Sequence, residues 1–139
     1  MTQATALHAA AAPQPEVLVV DDDQVTRDLL ATALSLSGCR VTCAEELEEA
    51  AAILEYRDYD ALCVDLDLRG LSGLEGLELV GQAHHRWPQL NIVVQTGNGD
   101  PEVHRACFRF GARSVFVKGR PIVEFLHLIQ PQKEEVASC

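Results

Sequence analysis

The chain has 139 residues, of which 47% are hydrophobic and 23% are charged, and its formal net charge is -10. This length suits one domain with one hydrophobic core, and the composition is that of a globular chain rather than a disordered one. The negative charge argues against direct binding to nucleic acid, because proteins bind its phosphates through Lys and Arg. A protein partner with a basic surface fits this charge better.

Membrane insertion and secretion are both unexpected for this chain. No apolar stretch approaches the roughly 20 residues needed to span a bilayer. Residues 1–15 contain no Lys or Arg, so the basic start of a secretory signal is missing and a disordered tail is predicted. The five cysteines form no C-x-x-C pair, and their odd number does not suggest a disulfide framework. We expect a soluble cytoplasmic protein with reduced thiols.

Beyond residue 15, apolar runs of strand length alternate with segments of helical period. This pattern predicts repeated βα units around a parallel sheet. The predicted strands, in chain order, are residues 17–20, 40–44, 61–64, 91–95 and 114–117. The predicted helices are residues 24–37, 45–57, 74–86, 101–110 and 121–128. One α/β domain over residues 16–130 and a polar tail over residues 131–139 are therefore expected.

The side-chain pattern also predicts where these elements pack. Residues 17–20 are continuously apolar and β-branched, as in a central strand buried on both faces, whereas residues 40–44 suit an outer strand. The first helix has apolar residues at helical spacing, namely Leu29, Leu30, Ala33 and Leu34. Three aromatic residues are expected to pack in or against the core, namely Phe108, Phe110 and Phe116.

Acidic residues follow three of the predicted strands. They are Asp21, Asp22 and Asp23 after the first, Asp65 and Asp67 after the third, and Asp100 after the fourth. Because open α/β sheets bind ligands at the carboxyl ends of their strands, several of these carboxylates are expected to meet there. Carboxylates so close repel each other unless a cation joins them, and Mg²⁺ prefers such oxygen ligands. The sequence predicts a Mg²⁺ and phosphoryl site.

Two further strand ends carry residues that suit a phosphoryl group. Thr96 ends the fourth strand with a hydroxyl donor, and Lys118 follows the fifth with a positive charge. Each of these residues also has a purely structural interpretation. The aspartates at residues 21–23 suit a helix cap, and Asp65 and Asp67 suit a turn. Taken alone, Thr96 reads as a turn hydroxyl and Lys118 as a surface lysine.

Four segments, in order and at matching intervals, resemble the receiver domain of bacterial two-component response regulators. They are residues 17–27 with the acidic pair, 59–75 around Asp65, 92–100 with Thr96, and 110–118 ending at Lys118. The resemblance covers residues 16–130. It implies a flavodoxin-like, doubly wound sheet of five parallel strands in the order 2-1-3-4-5, with helices on both faces.

The resemblance also implies a role for each acidic residue of the site. Asp65 would be the phosphoacceptor, receiving a phosphoryl group from a sensor histidine kinase or a histidine phosphotransfer protein. Asp22 and Asp65 would ligate Mg²⁺ through their carboxylates, Asp67 through its backbone carbonyl and Asp21 through water. Charge neutralisation and positioning are what phosphoryl transfer chiefly requires, so these roles agree with the chemistry.

By the same resemblance, Thr96 and Lys118 would hold the phosphoryl oxygens and link phosphorylation to movement of the sheet edge. The implied function is that of a single-domain response regulator in a phosphorelay, a phosphoacceptor rather than an enzyme. Output would come from contact with a downstream protein, through the fourth helix, fifth strand and fifth helix, with no direct contact to nucleic acid. Two alternatives remain: a degenerate receiver that binds partners without phosphorylation, and, less favoured, an aspartate-nucleophile phosphatase of the haloacid dehalogenase type.

The sequence departs from the family pattern at three positions. Gly119 follows the lysine where proline is usual, and because a cis bond without proline costs about 3 kcal/mol, we expect a trans bond or a rearranged loop. The aromatic residue usual three positions before the lysine is Val115 here, with Phe116 on the opposite face by alternation. Arg69 stands where proline is frequent.

Overall fold

The computed structural model describes residues 14–130. Within that range five strands alternate with five helices. The strands are β1 (Glu16–Val20), β2 (Arg40–Ala44), β3 (Ala61–Asp65), β4 (Asn91–Thr96) and β5 (Ser114–Val117). The helices are α1 (Gln24–Leu36), α2 (Leu47–Tyr56), α3 (Leu74–Arg86), α4 (Pro101–Phe110) and α5 (Ile122–Ile129). The predicted elements are confirmed, with ends that move by one or two residues.

The five strands form a single parallel sheet in the order β2-β1-β3-β4-β5. This is the flavodoxin-like, doubly wound topology that the resemblance to receiver domains implies. β1 pairs with β2 on one side and β3 on the other, and its residues Val17 to Val20 have no exposed surface. β2 lies at an edge, as expected from its weaker apolar pattern. The topology places the carboxyl ends of β1, β3 and β4 side by side.

Two hydrophobic layers cover the two faces of the sheet. Leu18, Val20, Leu62 and Val64 point into the layer shared with α2 and α3. The alternate residues of the same strands point into the other layer, where Leu30 and Leu34 of α1 and Phe125 of α5 cover them. Period-two alternation therefore gives β1 and β3 two buried faces, and their next residues are carried to the rim of the sheet.

Several of the apolar residues singled out in the sequence are not buried. Leu29 is 59% exposed, because α1 directs Leu30 and Leu34 inward and Leu29 lies on its outer face. Phe108 is 50% exposed on α4, so it is not a core residue, and Phe110 is 36% exposed. Only Phe116 of the three aromatic residues is buried, against Phe125 with ring centroids 5.4 Å apart.

The predicted tails fall almost wholly outside the described residues, so those two predictions stay predictions. Within residues 14–130 there is no helix of the length and apolarity that a membrane crossing requires. Within the same range, Cys43, Cys63 and Cys107 are free thiols.

Candidate functional site

The three aspartates of the loop after β1 have different structural roles. Asp23 is the N-cap of α1 and accepts hydrogen bonds from the backbone N and the hydroxyl of Thr26, at 3.0 and 2.6 Å. Asp21 is buried instead, with 1% of its surface exposed, and its carboxylate accepts the Asp23 N–H at 2.9 Å. Arg27 fixes the same loop by donating to the Asp21 carbonyl at 2.8 Å. The helix-cap reading therefore applies to Asp23 only.

Asp22 belongs to the same loop after β1, and its side chain contacts the loop after β3. Its Oδ2 accepts the Arg69 N–H at 3.0 Å, and the Arg69 guanidinium lies 3.8 Å away. The loop after β3 turns at Gly70 and Gly73, whose positive φ angles of 79° and 97° suit glycine. Arg69, which replaces the proline frequent in the family, thus supplies an N–H that proline lacks.

Asp65 is the last residue of β3 and is 2% exposed. Its Oδ1 accepts the Asp67 N–H at 2.8 Å and pairs with the Lys118 ammonium at 2.9 Å. Lys118 reaches Asp65 from across β4, where its own N–H donates to the Thr96 carbonyl at 2.9 Å. One buried carboxylate is thereby held beside one positive charge at the rim of the sheet.

Three carboxylates converge at this rim. One oxygen from each of Asp21, Asp22 and Asp65 lies within 4.8 Å of the others. This donor set fits a divalent cation with a preference for hard oxygen ligands, which would also relieve the repulsion between them. The side chain of Asp67 lies outside that group.

Asp67 instead turns toward the end of β4. Its Oδ2 accepts the Gly97 N–H at 2.7 Å and lies 3.3 Å from the Lys118 ammonium. Its Oδ1 accepts the Thr96 hydroxyl at 3.3 Å. The six residues proposed from the sequence, Asp21, Asp22, Asp65, Asp67, Thr96 and Lys118, therefore all meet at one edge of the sheet.

The sequence reasoning missed Gln95. This residue lies on β4, is 2% exposed, and donates from Nε2 to Asp21 Oδ2 at 3.0 Å. Because a buried amide requires hydrogen-bond partners, a glutamine inside the apolar run 91–95 was the signal that pointed to it. Gln95 and the Asp23 N–H together hold both oxygens of Asp21.

Two loop predictions have clear outcomes. Asp100 caps α4 by accepting the Glu102 N–H at 3.0 Å, and it does not join the three carboxylates. The described residues contain no cis peptide bond, so the trans bond expected between Lys118 and Gly119 is confirmed. Gly119 has a φ of 96°, which permits the turn that follows the lysine.

In the absence of a cation, the electrostatics of the site raise the pKa of one carboxylate, that of Asp21. Burial raises the pKa of Asp21 to about 6, the Asp23 N–H opposes this shift, and the Asp65 charge adds to it. Burial lowers the pKa of Lys118, but its pairs with Asp65 and Asp67 outweigh burial and raise that pKa above its ordinary value. Lys118 therefore stays charged beside the carboxylates.

The metal-free protein is expected to lose stability, relative to its Asp21→Asn variant, as pH rises from about 4 to about 6. The pKa of Asp21 is 3.8 ordinarily and about 6 when folded, so the folded state binds more protons in this window. Protonation of Asp21 therefore adds about 2 to 3 kcal/mol to the free energy of unfolding. This contribution is fully present below pH 3.8 and is lost above about pH 6. Urea denaturation of both proteins at several pH values measures it. Parallel curves for the two proteins would contradict the shift.

Comparison with known proteins gives one family. A family model for the response regulator receiver domain matches residues 17–130. The chain is 32% identical over 117 residues to the sensory/regulatory protein RpfC of Xanthomonas campestris, covering 84% of this chain but 16% of that protein. It is 35% identical over 112 residues to a cyclic di-GMP phosphodiesterase of Thermotoga maritima, covering 81% of this chain and 29% of that protein. The chain thus spans less than a third of either relative.

The fold is similar to solved receiver structures. A response regulator from Burkholderia pseudomallei, solved with a phosphorylated aspartic acid, a calcium ion and citrate, is 26% identical, with a TM-score of 0.76 over 90% of this chain and 72% of that one. A CheY-like receiver domain protein from Methanospirillum hungatei has a TM-score of 0.78 at 24% identity, over 91% of this chain and 98% of its own. With the matched segment covering β1 to α5, the chain belongs to the response regulator receiver domain family of two-component signalling.

Proposed function

We propose that this chain accepts a phosphoryl group on Asp65, from a phosphohistidine of a sensor kinase or phosphotransfer protein, in a Mg²⁺-dependent phosphorelay. The observation that carries this proposal is the setting of Asp65. It is 2% exposed, 2.9 Å from the Lys118 ammonium, and within 4.8 Å of the Asp21 and Asp22 carboxylates. A nucleophilic carboxylate needs such neutralising groups before an anionic phosphoryl group can approach.

The donor set suits Mg²⁺ in the arrangement that the resemblance to receiver domains implies. Asp22 and Asp65 would hold it through carboxylates, Asp67 through its backbone carbonyl and Asp21 through water. When bound, the ion neutralises charge on the carboxylates and on the phosphoryl oxygens. The calcium ion in the Burkholderia pseudomallei structure supports a divalent site in a related protein. Gln95 supports the water-mediated role of Asp21, because its amide fixes the carboxylate orientation.

The transfer itself is an in-line displacement at phosphorus. An oxygen of Asp65 attacks, the new O–P bond forms, and the P–N bond to the donor imidazole breaks with its electron pair left on nitrogen. Lys118 and Thr96 stabilise the charge on the phosphoryl oxygens, and the backbone N–H of Gly97, beside Thr96, is a third donor. The phosphorylated aspartic acid in the Burkholderia pseudomallei structure supports this chemistry for Asp65.

The helix beside the site suits a helical donor. Val25, Leu29 and Leu36 are 76%, 59% and 84% exposed and follow one another along the outer face of α1. An apolar stripe of this kind packs against a partner helix, and α1 begins three residues after Asp21. Phe108 on α4 offers a second exposed apolar contact, on the side proposed for the downstream protein. We propose that these contacts take place in the cytoplasm.

Incubation with acetyl phosphate is expected to add one phosphoryl group to the protein when Mg²⁺ is present and none when EDTA removes it. Intact-mass spectrometry reads this directly, and phosphorylated histidine kinases of the same genome then replace acetyl phosphate as donors. Equal incorporation without Mg²⁺ would contradict the proposed cation. Absence of incorporation from every donor would favour a receiver that acts by binding alone, and steady release of phosphate from small phosphate esters would favour a phosphatase.

A further inference from the structure

The carboxylate of Asp67 is held by three donors at once. The Gly97 N–H donates to Oδ2 at 2.7 Å, at the short end of the range for a charge-assisted bond, and the Lys118 ammonium lies 3.3 Å from the same oxygen. The Thr96 hydroxyl lies 3.3 Å from Oδ1. This hydroxyl already accepts the Asn98 N–H at 3.0 Å, so its own proton is directed to Asp67. Both carboxylate oxygens are therefore satisfied by donors at the carboxyl ends of β4 and β5.

These donors are the ones that a phosphoryl group on Asp65 would need. Lys118 contacts both carboxylates, since its ammonium lies 2.9 Å from Asp65 and 3.3 Å from Asp67. A carboxylate and a phosphoryl group both present anionic oxygens, and two anions cannot share one set of donors without strong repulsion. The donors are thus already occupied in this structure.

We propose that the Asp67 carboxylate is an internal competitor that fills the phosphoryl-oxygen site until phosphorylation displaces it. This inference rests on the proposed function and adds a regulation of the same site. Asp67 has room to leave, because its side chain is 41% exposed to solvent and can adopt other staggered χ1 rotamers. Its backbone carbonyl, which is the proposed metal ligand, stays in place during that rotation.

The competition is expected to slow phosphorylation and to destabilise the phosphorylated form. A site that is open for only a fifth of the time reacts about five-fold more slowly than one that is always open. After transfer, the displaced carboxylate and the phosphoryl group compete for the same donors, and this competition favours hydrolysis, in which water takes the phosphoryl group as inorganic phosphate and the Asp65 carboxylate is restored. Removal of the carboxylate is expected to relieve both effects.

The test compares Asp67→Ala and Asp67→Asn with the unaltered protein. We expect Asp67→Ala to take up a phosphoryl group from acetyl phosphate and Mg²⁺ about five-fold faster, with Asp67→Asn between the two, because asparagine keeps an acceptor for Gly97 but no charge. Glu46→Gln is the matched control, since Glu46 is an exposed acid at the same rim, and caps α2 without a side-chain hydrogen bond. Its rate is expected to stay within two-fold of the unaltered protein (about the effect of one exposed charge).

A second readout needs no phosphorylation. In ¹⁵N-resolved NMR spectra, the Gly97 amide proton is expected to lie at low field in the unaltered protein and to move upfield in Asp67→Ala, because its carboxylate acceptor is gone. Two results would contradict the role of Asp67 as a competitor. One is Mg²⁺-dependent uptake at equal rates in Asp67→Ala and Glu46→Gln, and the other is a Gly97 amide resonance that does not move. Either result would leave the proposed function unaffected. No uptake in any protein would overturn the proposed function and the competitor with it.

Discussion

Asp65→Asn is expected to take up no phosphoryl group from acetyl phosphate, whatever the Mg²⁺ concentration. The amide has nearly the shape of the carboxylate but lacks the anionic oxygen that attacks phosphorus. The fold should survive, since the substitution removes one of three close negative charges. Intact-mass spectrometry measures the uptake, and circular dichroism checks the fold.

The control for this prediction is Glu46→Gln, which removes one exposed charge at the same rim and should take up phosphoryl groups normally. Residual uptake by Asp65→Asn at the rate of the control would mean that another carboxylate is the acceptor. Asp22 and Asp67 would be the next to test, because both lie at the same edge of the sheet.

Asp22→Asn is expected to lower Mg²⁺ affinity by about ten-fold or more while raising the stability of the metal-free protein. The variant loses a proposed carboxylate ligand, so less cation binds. It also loses repulsion within the group of three carboxylates, whereas the Arg69 pair that it gives up is exposed and stabilises little. The free energy of unfolding should therefore rise by about 1 kcal/mol without the metal.

Isothermal titration with Mg²⁺ measures the affinity, and urea denaturation with and without Mg²⁺ measures the stability. In the unaltered protein, Mg²⁺ should stabilise the fold by mass action, and in Asp22→Asn this effect should largely vanish. A variant that binds Mg²⁺ as tightly as the unaltered protein would remove Asp22 from the proposed site. A variant that is less stable without metal would show that the Arg69 pair outweighs the repulsion.

The sequence predicted the fold and the membership of the site because both depend on local patterns. Continuous apolar runs identify β1 and β3 as strands buried on both faces, and this places Asp21 and Asp65 at strand ends. Parallel pairing then brings those ends together, wherever the side chains point. The trans bond before Gly119 followed in the same way from the cost of a cis bond without proline.

The details of the site depend on side-chain directions, which sequence spacing does not contain. Gln95 reaches from β4 across β3 to Asp21, and the pattern showed only a polar residue in an apolar run. Asp67 was assigned by its backbone alone, and its carboxylate proved to be held by Thr96 and Gly97. Phe108 was misplaced because α4 packs on one side only, and an aromatic residue does not reveal which side it is on.

Reduction of the phosphorylated protein with borohydride is the most direct test of Asp65 as the phosphoacceptor. Hydride converts an aspartyl phosphate to homoserine with loss of phosphate, and sequencing of the peptide by tandem mass spectrometry then locates the homoserine. The proposal predicts homoserine at residue 65, only after treatment with acetyl phosphate and Mg²⁺. Homoserine at residue 22 or 67, or at none of the aspartates, would contradict it.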